Sequence, residues 1–196
     1  MNVKLLTSTE SFHDMEKFAA LAALTCHANT DKDYIPADVL KRIIKLGHES
    51  ILEHINLTFS IKGLSRACLQ ELARHRHISL SVESTRHTLR KSIKERFGEF
   101  VNQLSGEMLH VYFQLKDVAD DYPDMPNDEL KYYIPEFWPT NLIITLNIRE
   151  FRHILKLRTA PAALKEFRVL ARSMFNEVPE QFRYLLQDCV HEEVTQ

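Results

Sequence analysis

The chain has 196 residues, 44% of them apolar and 27% charged, with a formal net charge of −2. Such values suit an ordinary soluble globular protein with one substantial core. The near-neutral balance argues against a general nucleic-acid binder, whose surface is strongly basic.

Cys26, Cys68 and Cys189 are odd in number and far apart, with no C-x-x-C, so free thiols in a reducing compartment are expected. The N-terminus M-N-V-K-L-L-T-S-T-E lacks an apolar signal core and no run approaches bilayer length. The expectation is a cytoplasmic protein with a single domain over 1–196. Val3 to Thr7 reads as a short strand. Ser11 suits the cap of a helix with Met15, Phe18, Ala19, Ala22, Ala23 and Cys26 inward. After the polar loop H-A-N-T-D-K-D-Y, Pro36 opens a second helix lined by Leu40, Ile43 and Ile44, and Gly47 stands where a C-terminal glycine belongs. Ile55, Leu57, Phe59 and Ile61 alternate with polar residues, the clearest strand in the chain. Gly63 is expected to turn it into a helix burying Leu64, Cys68, Leu69 and Leu72, and Ser79 to Thr88 suits an extended segment or loop.

Further on, a helix from about Gly106 to Tyr122 is expected to bury Met108, Val111, Tyr112, Leu115, Val118 and Ala119. Asn127 suits the cap of a short helix through Tyr133, which Pro135 ends. Leu142, Ile144, Leu146 and Ile148 make a second strand, buried on both faces at its start. Three helices follow: R-E-F-R-H-I-L-K-L-R, one starting at Pro161, and one marked by Phe182, Leu185, Leu186, Cys189 and Val190. The fold class is α+β, mostly helical, with a small antiparallel or mixed sheet.

Two places stand out chemically. Ser65 to Arg90 carries Arg74, Arg76, Arg86 and Arg90, three histidines, and five hydroxyl residues from Ser79 to Thr88, with Glu83 the one carboxylate between Arg74 and Arg90. Guanidiniums so crowded repel unless anions lie among them, and arginines beside hydroxyls bind phosphate oxygens. The second is Arg158, which continues the apolar face of Phe151, Ile154 and Leu155, while Arg149, Arg152, His153 and Lys156 lie on another side. An arginine on a core-facing stripe needs a carboxylate partner, an anionic ligand, or the helix C-terminus it closes.

Several chemistries fail on spacing. His48-Glu49 is followed by His54 six residues on, not four, so no zinc helix is expected and no metal ligand is assigned. There is no G-x-S-x-G, no G-x-G-x-x-G and no Walker loop, and with four glycines a nucleotide must be held by side chains. His13, His27, His110 and His191 read as structural, Cys68 and Cys189 as small buried hydrophobes.

In order, G-H-E-S-I-L-E-H (47–54), S-R (65–66), R-H-R followed by seven residues and Ser84, S-T-R, and T-L-N-I-R-E-F-R-H-I-L-K-L-R (145–158) resemble the flavin-dependent thymidylate synthases, across roughly residues 20 to 190. The resemblance implies a homotetramer with sites shared between subunits. It implies FAD reduced by NADPH, and a one-carbon unit passed from methylenetetrahydrofolate to C5 of dUMP. It places Ser50, Arg74, His75, Arg76, Asn147, Arg149 and His153 on FAD, with His48, Glu53 and Val82 at that pocket. It places Gln70, Glu71, Arg74, Glu83, Ser84, Thr85, Arg86 and Arg158 at dUMP, Lys131 on its phosphate, and gives Arg158 the catalytic role of stabilising the ionised uracil. Neither nucleic acid nor membrane is implied as a partner.

The chain departs from the family pattern at Glu71 (usually Gln), at Val82 (Glu in some members), at His87 (usually Tyr) and at Leu24 (usually Arg). The alternatives are a catalytically degenerate flavin- and nucleotide-binding homologue, or an RNA-binding module using the same arginines.

Overall fold

The computed structural model describes residues 1–28, 33–95 and 104–192. Residues 29–32 of the expected polar loop lie outside them. Four strands form an antiparallel sheet in the order β1-β2-β4-β3: β1 (Asn2–Leu5), β2 (Asn56–Ser65), β3 (Ile78–Val82) and β4 (Pro139–Asn147). The central β2–β4 pair is in register at Thr58 and Thr145, whose hydroxyls lie 3.0 Å apart. Strand alternation separates the two faces. Leu57, Phe59 and Ile61 of β2 are buried, as are Leu142, Ile144 and Leu146 of β4. Ile143 points the other way and is exposed, so β4 is not buried on both faces as expected.

Against the apolar face pack α1 (Thr9–Thr25), α2 (Pro36–Lys45), α3 (Arg66–Leu72), α7 (Ile148–Arg158) and α8 (Lys165–Glu177), contributing among others Phe12, Leu40, Leu72, Phe151 and Phe167. A second cluster joins α4 (Thr85–Glu95), α5 (Gly106–Asp121) and α6 (Asn127–Leu130) around Leu89, Tyr112, Leu130 and Trp138. Among the described residues no helix is long and apolar enough to cross a membrane.

Several expectations are corrected. Ser8, not Ser11, caps α1, accepting from the Ser11 N–H. Phe18 is 64% exposed because α1 docks through Phe12, Glu16 and the small residues Ala19, Ala20 and Ala23, which let the backbone come close. Met108 and Val111 are exposed on α5, which buries Tyr112, Leu115 and Ala119. The segment after Val82 is not a loop: it becomes α4, which the density of Arg, His and Thr hid because its buried stripe is one-sided. The helix expected from Pro161 starts at Lys165, and the last expected helix is a pair of 3-10 turns, Glu180–Leu185 and Gln187–Cys189.

Gly63 does not end β2. The strand runs on to Ser65 with a register shift between Lys62 and Leu64, and Ser65 caps α3. At φ +73° Gly63 adopts a conformation that side chains resist. A Cβ there meets nothing closer than Met1 Cα at 3.6 Å, so Gly63→Ala should cost backbone strain alone, about 1–2 kcal/mol, seen as a thermal midpoint lowered by a few degrees.

Candidate functional site

α3 ends at Leu72, and the next turn carries Arg74, His75 and Arg76. A backbone bond from His75 N–H to the Leu72 carbonyl folds the chain so that His75 is buried while both arginines are exposed. Among the described residues neither Arg74 nor Arg76 has a carboxylate partner.

Asn147 caps α7 by accepting from the Glu150 N–H at 2.8 Å. The Glu150 carboxylate, itself buried, lies 3.1 Å from His75 Nδ1. From the far end of α7, Arg158 Nε donates to His75 Nε2 at 3.1 Å and Nη1 donates to Glu71 Oε2 at 2.9 Å. Its guanidinium carbon stands 4.7 Å over the Phe167 ring. One of the readings open for Arg158, a carboxylate partner, is present in Glu71. Burial, aided by the charge of Arg158 and opposed by Glu150, lowers the His75 pKa below the usual imidazole value, which favours the neutral ring.

Two open clefts of about 510 Å³ each flank this array. The first is lined by Glu53, Asn147, Arg149, His153, Lys156 and His77, with Glu49 and Glu150 behind. The second is lined by Gln70, Glu71, Glu136, Arg158 and a run of alanines. His75 joins them, reaching Glu150 on one side and Arg158 on the other. Of the residues expected at the flavin, Glu53, Asn147, Arg149 and His153 line the first cleft, and of those expected at dUMP, Gln70, Glu71 and Arg158 line the second.

Around the first cleft, Arg149 pairs with Glu53 at 2.5 Å, both half-exposed, so the pair is weak and open to exchange. His48 and Ser50 are exposed at the 3-10 turn Glu49–His54 that leads into β2. Val82 is exposed at the end of β3. In the second cleft, Gln70 Nε2 donates to both oxygens of Glu136, at 2.8 and 3.0 Å.

Arg86 lines neither cleft. It grips Asp128 bidentately at 2.6 and 2.9 Å, and Lys131 approaches the same carboxylate at 3.9 Å. Two cations expected at dUMP, Lys131 on its phosphate, therefore converge on one anionic group, whose carboxyl the Arg86 hydrogen bond holds below its ordinary range. Ser84 and Thr85 stand at the start of α4 beside them, the Ser84 carbonyl accepting from the Thr88 N–H.

Other expectations shift. Glu83 directs its carboxylate inward, accepting from Thr88, Ser92 and Asn141 Nδ2, which ties β3 to α4 and β4. Arg90 is not an anion ligand: it donates to the carbonyls of Ala119, Tyr122 and Met125, closing the end of α5. Arg152 is 2% exposed rather than on an outer side, because Glu49, Asp188 and the Leu185 carbonyl pair it inside. Glu150 was missed. As a helix-start carboxylate three residues after its cap it looks like an ordinary capping partner, and its contact with His75 lies 75 residues away.

No thiol is poised as a nucleophile. Burial, with help from Glu166 and Glu71 and against Arg158, pushes Cys68 up to about 12, and burial pushes Cys189 up to about 11. At neutral pH an alkylating reagent should therefore modify exposed Cys26 and reach Cys68 and Cys189 at least about a hundredfold more slowly, as read by mass spectrometry of the peptides.

Residues 4–182 match the family described as thymidylate synthase complementing protein. The chain is 33% identical to the flavin-dependent thymidylate synthase of Campylobacter jejuni strain RM1221, over 93% of this chain and 97% of that one. It is 38% identical to the enzyme of the same name from Helicobacter pylori strain J99, over 73% and 76%. Its fold is similar to the crystal structure of thymidylate synthase X from Helicobacter pylori with FAD and dUMP, at a TM-score of 0.83 and 30% identity, covering 98% of this chain and all of that one.

Proposed function

Since this chain belongs to the thymidylate synthase complementing protein family, that of the flavin-dependent thymidylate synthases, we propose that it makes dTMP from dUMP with FAD as its cofactor. Methylenetetrahydrofolate is the one-carbon donor and NADPH the reductant, in a cytoplasmic protein of one domain. The support within the molecule is the fixed Arg158 guanidinium, whose Nη2 has no partner among the described residues while Nε and Nη1 are held by His75 and Glu71.

The first cleft suits a flavin. Arg149 and Lys156 give it cations for a pyrophosphate, Asn147 and His153 give ring and ribose partners, and unpaired Arg74 and Arg76 stand beside His75. FAD, once reduced by NADPH, supplies the hydride that completes the methyl group. The protein's own part is to bind, orient and stabilise charge. Arg86 and Lys131, converging as they do on Asp128, hold the dUMP phosphate in exchange for that carboxylate, with Ser84 and Thr85 beside it.

Gln70 and Glu71 face the uracil. Arg158 stabilises negative charge as the ring ionises, which raises the electron density at C5, and arginine keeps its own charge throughout. Arg86 and Lys131 line neither cleft, which supports a site whose phosphate and uracil parts come from two copies of the chain. A homotetramer with shared sites supplies them.

The test is direct. Purified protein should be yellow or take up added FAD, dUMP should perturb the flavin spectrum, and dTMP should form from dUMP only when methylenetetrahydrofolate and NADPH are both present. Colourless protein that binds no FAD would overturn the reading.

A further inference from the structure

We propose that Glu150 is a positioning residue for Arg158, acting through the tautomer of His75. Glu150 and Arg158 begin and end the same helix, eight residues or about 12 Å apart along its axis, and the His75 imidazole spans the gap. Arg158 Nε carries a hydrogen and can only donate, so His75 Nε2 must be bare to accept it at 3.1 Å. A neutral imidazole then carries its proton on Nδ1, where the Glu150 carboxylate receives it at 3.1 Å.

The alternative tautomer sets N–H against N–H and turns Arg158 away. Around the ring stand Glu150, Arg158, His153 and the Phe167 ring, and among them Glu150 alone is an acceptor within hydrogen-bond distance of Nδ1. Both partners of this bond are almost fully buried, so water does not compete for the Nδ1 proton. Glu150 does not line the cleft assigned to the uracil. It sets which face of the imidazole Arg158 meets, and so leaves Nη2 free to meet the ring.

This inference rests on the reading of Arg158 as the uracil ligand, and two measurements separate them. Histidine side-chain NMR of the wild-type holoenzyme should show His75 as a single Nδ1–H tautomer. In Glu150→Ala the other tautomer should appear, and Glu150→Gln, which keeps an acceptor, should restore the first. In parallel, dUMP titrated against the flavin absorbance should bind about tenfold more weakly to Glu150→Ala, an effect of the size seen when a carboxylate orienting a ligand histidine is lost. Most of that loss should return in Glu150→Gln. In an Arg158→Lys background the Glu150→Ala change should cost less than about twofold, because the two residues act as one unit.

An Nε2–H tautomer in the wild type overturns the inference, and since that spectrum needs no variant it decides even if Glu150→Ala fails to fold. Equal losses in both backgrounds overturn it too. A wild type with the Nδ1–H tautomer that binds no dUMP overturns the substrate assignment and leaves the His75 geometry standing.

Discussion

Arg158→Ala is expected to fold and to bind FAD, yet to form dTMP roughly 10²–10³-fold more slowly, the usual loss when one preorganised donor to a developing charge is removed. The guanidinium is held on three sides, by His75 at Nε, by Glu71 at Nη1 and by the Phe167 ring beneath. Among the described residues no other cation lines that cleft to take over its charge. Arg158→Lys should recover only part of the activity. A lysine keeps the charge, but its single ammonium cannot meet His75 and Glu71 in one plane as the guanidinium fork does. The stability loss of the alanine variant should be modest, about 1–2 kcal/mol for the buried His75 acceptor left without its donor. Steady-state turnover separates the effects: a fall in kcat larger than the rise in the KM for dUMP marks charge stabilisation, whereas a change confined to KM would sink the catalytic assignment.

The two central strands were legible because their apolar residues alternate and the burial of Leu57, Phe59, Ile144 and Leu146 follows the alternation. The helix ending at Arg158 was legible for the same reason in its 3.6-residue period. Charge obscured the rest. α4 was hidden because Thr85 to Glu95 buries only Leu89, Ser92 and Ile93, too few apolar positions to set a rhythm. The basic stretch looked uniform, yet the fold divides it: among the described residues Arg74 and Arg76 have no carboxylate partner, Arg86 takes Asp128, and Arg90 closes α5. That division depends on partners 29 to 42 residues away, which no local pattern announces. Glu150 and Arg152 were hidden likewise, since a charged residue on a helix reads as solvent-facing until its distant partner is known.

Arg152→Met is expected to destabilise the protein by roughly 3 kcal/mol, the low end for breaking a buried ion pair, because half of Asp188 remains in water. For a chain of this size that lowers the thermal midpoint by about 6–12 °C. The guanidinium is 2% exposed and joins three parts of the fold: α7, which carries it, the C-terminal turns through Asp188 and the Leu185 carbonyl, and the 3-10 turn before β2 through Glu49. Methionine fills the space but leaves Asp188 without its guanidinium partner and Glu49 with only the longer contact to Lys156, at 3.5 Å. Glu49 also lines the first cleft, so flavin affinity should fall with stability. The pH dependence has a definite sign. Burial alone would raise the Asp188 carboxyl, but the hydrogen bonds and the charge of Arg152, with smaller help from a backbone bond and Cys189, together outweigh it, and the group ionises below its ordinary value. A carboxyl with a depressed folded pKa contributes its full stability above the unfolded value of about 3.9 and loses it as the pH falls through the folded one. The gap in stability between wild type and Arg152→Met should therefore be constant from about pH 5 to 8 and narrow below about pH 4, measured by urea unfolding across that range. A gap that persists unchanged at pH 3 would mean that the loss comes from packing rather than from the Asp188 pair.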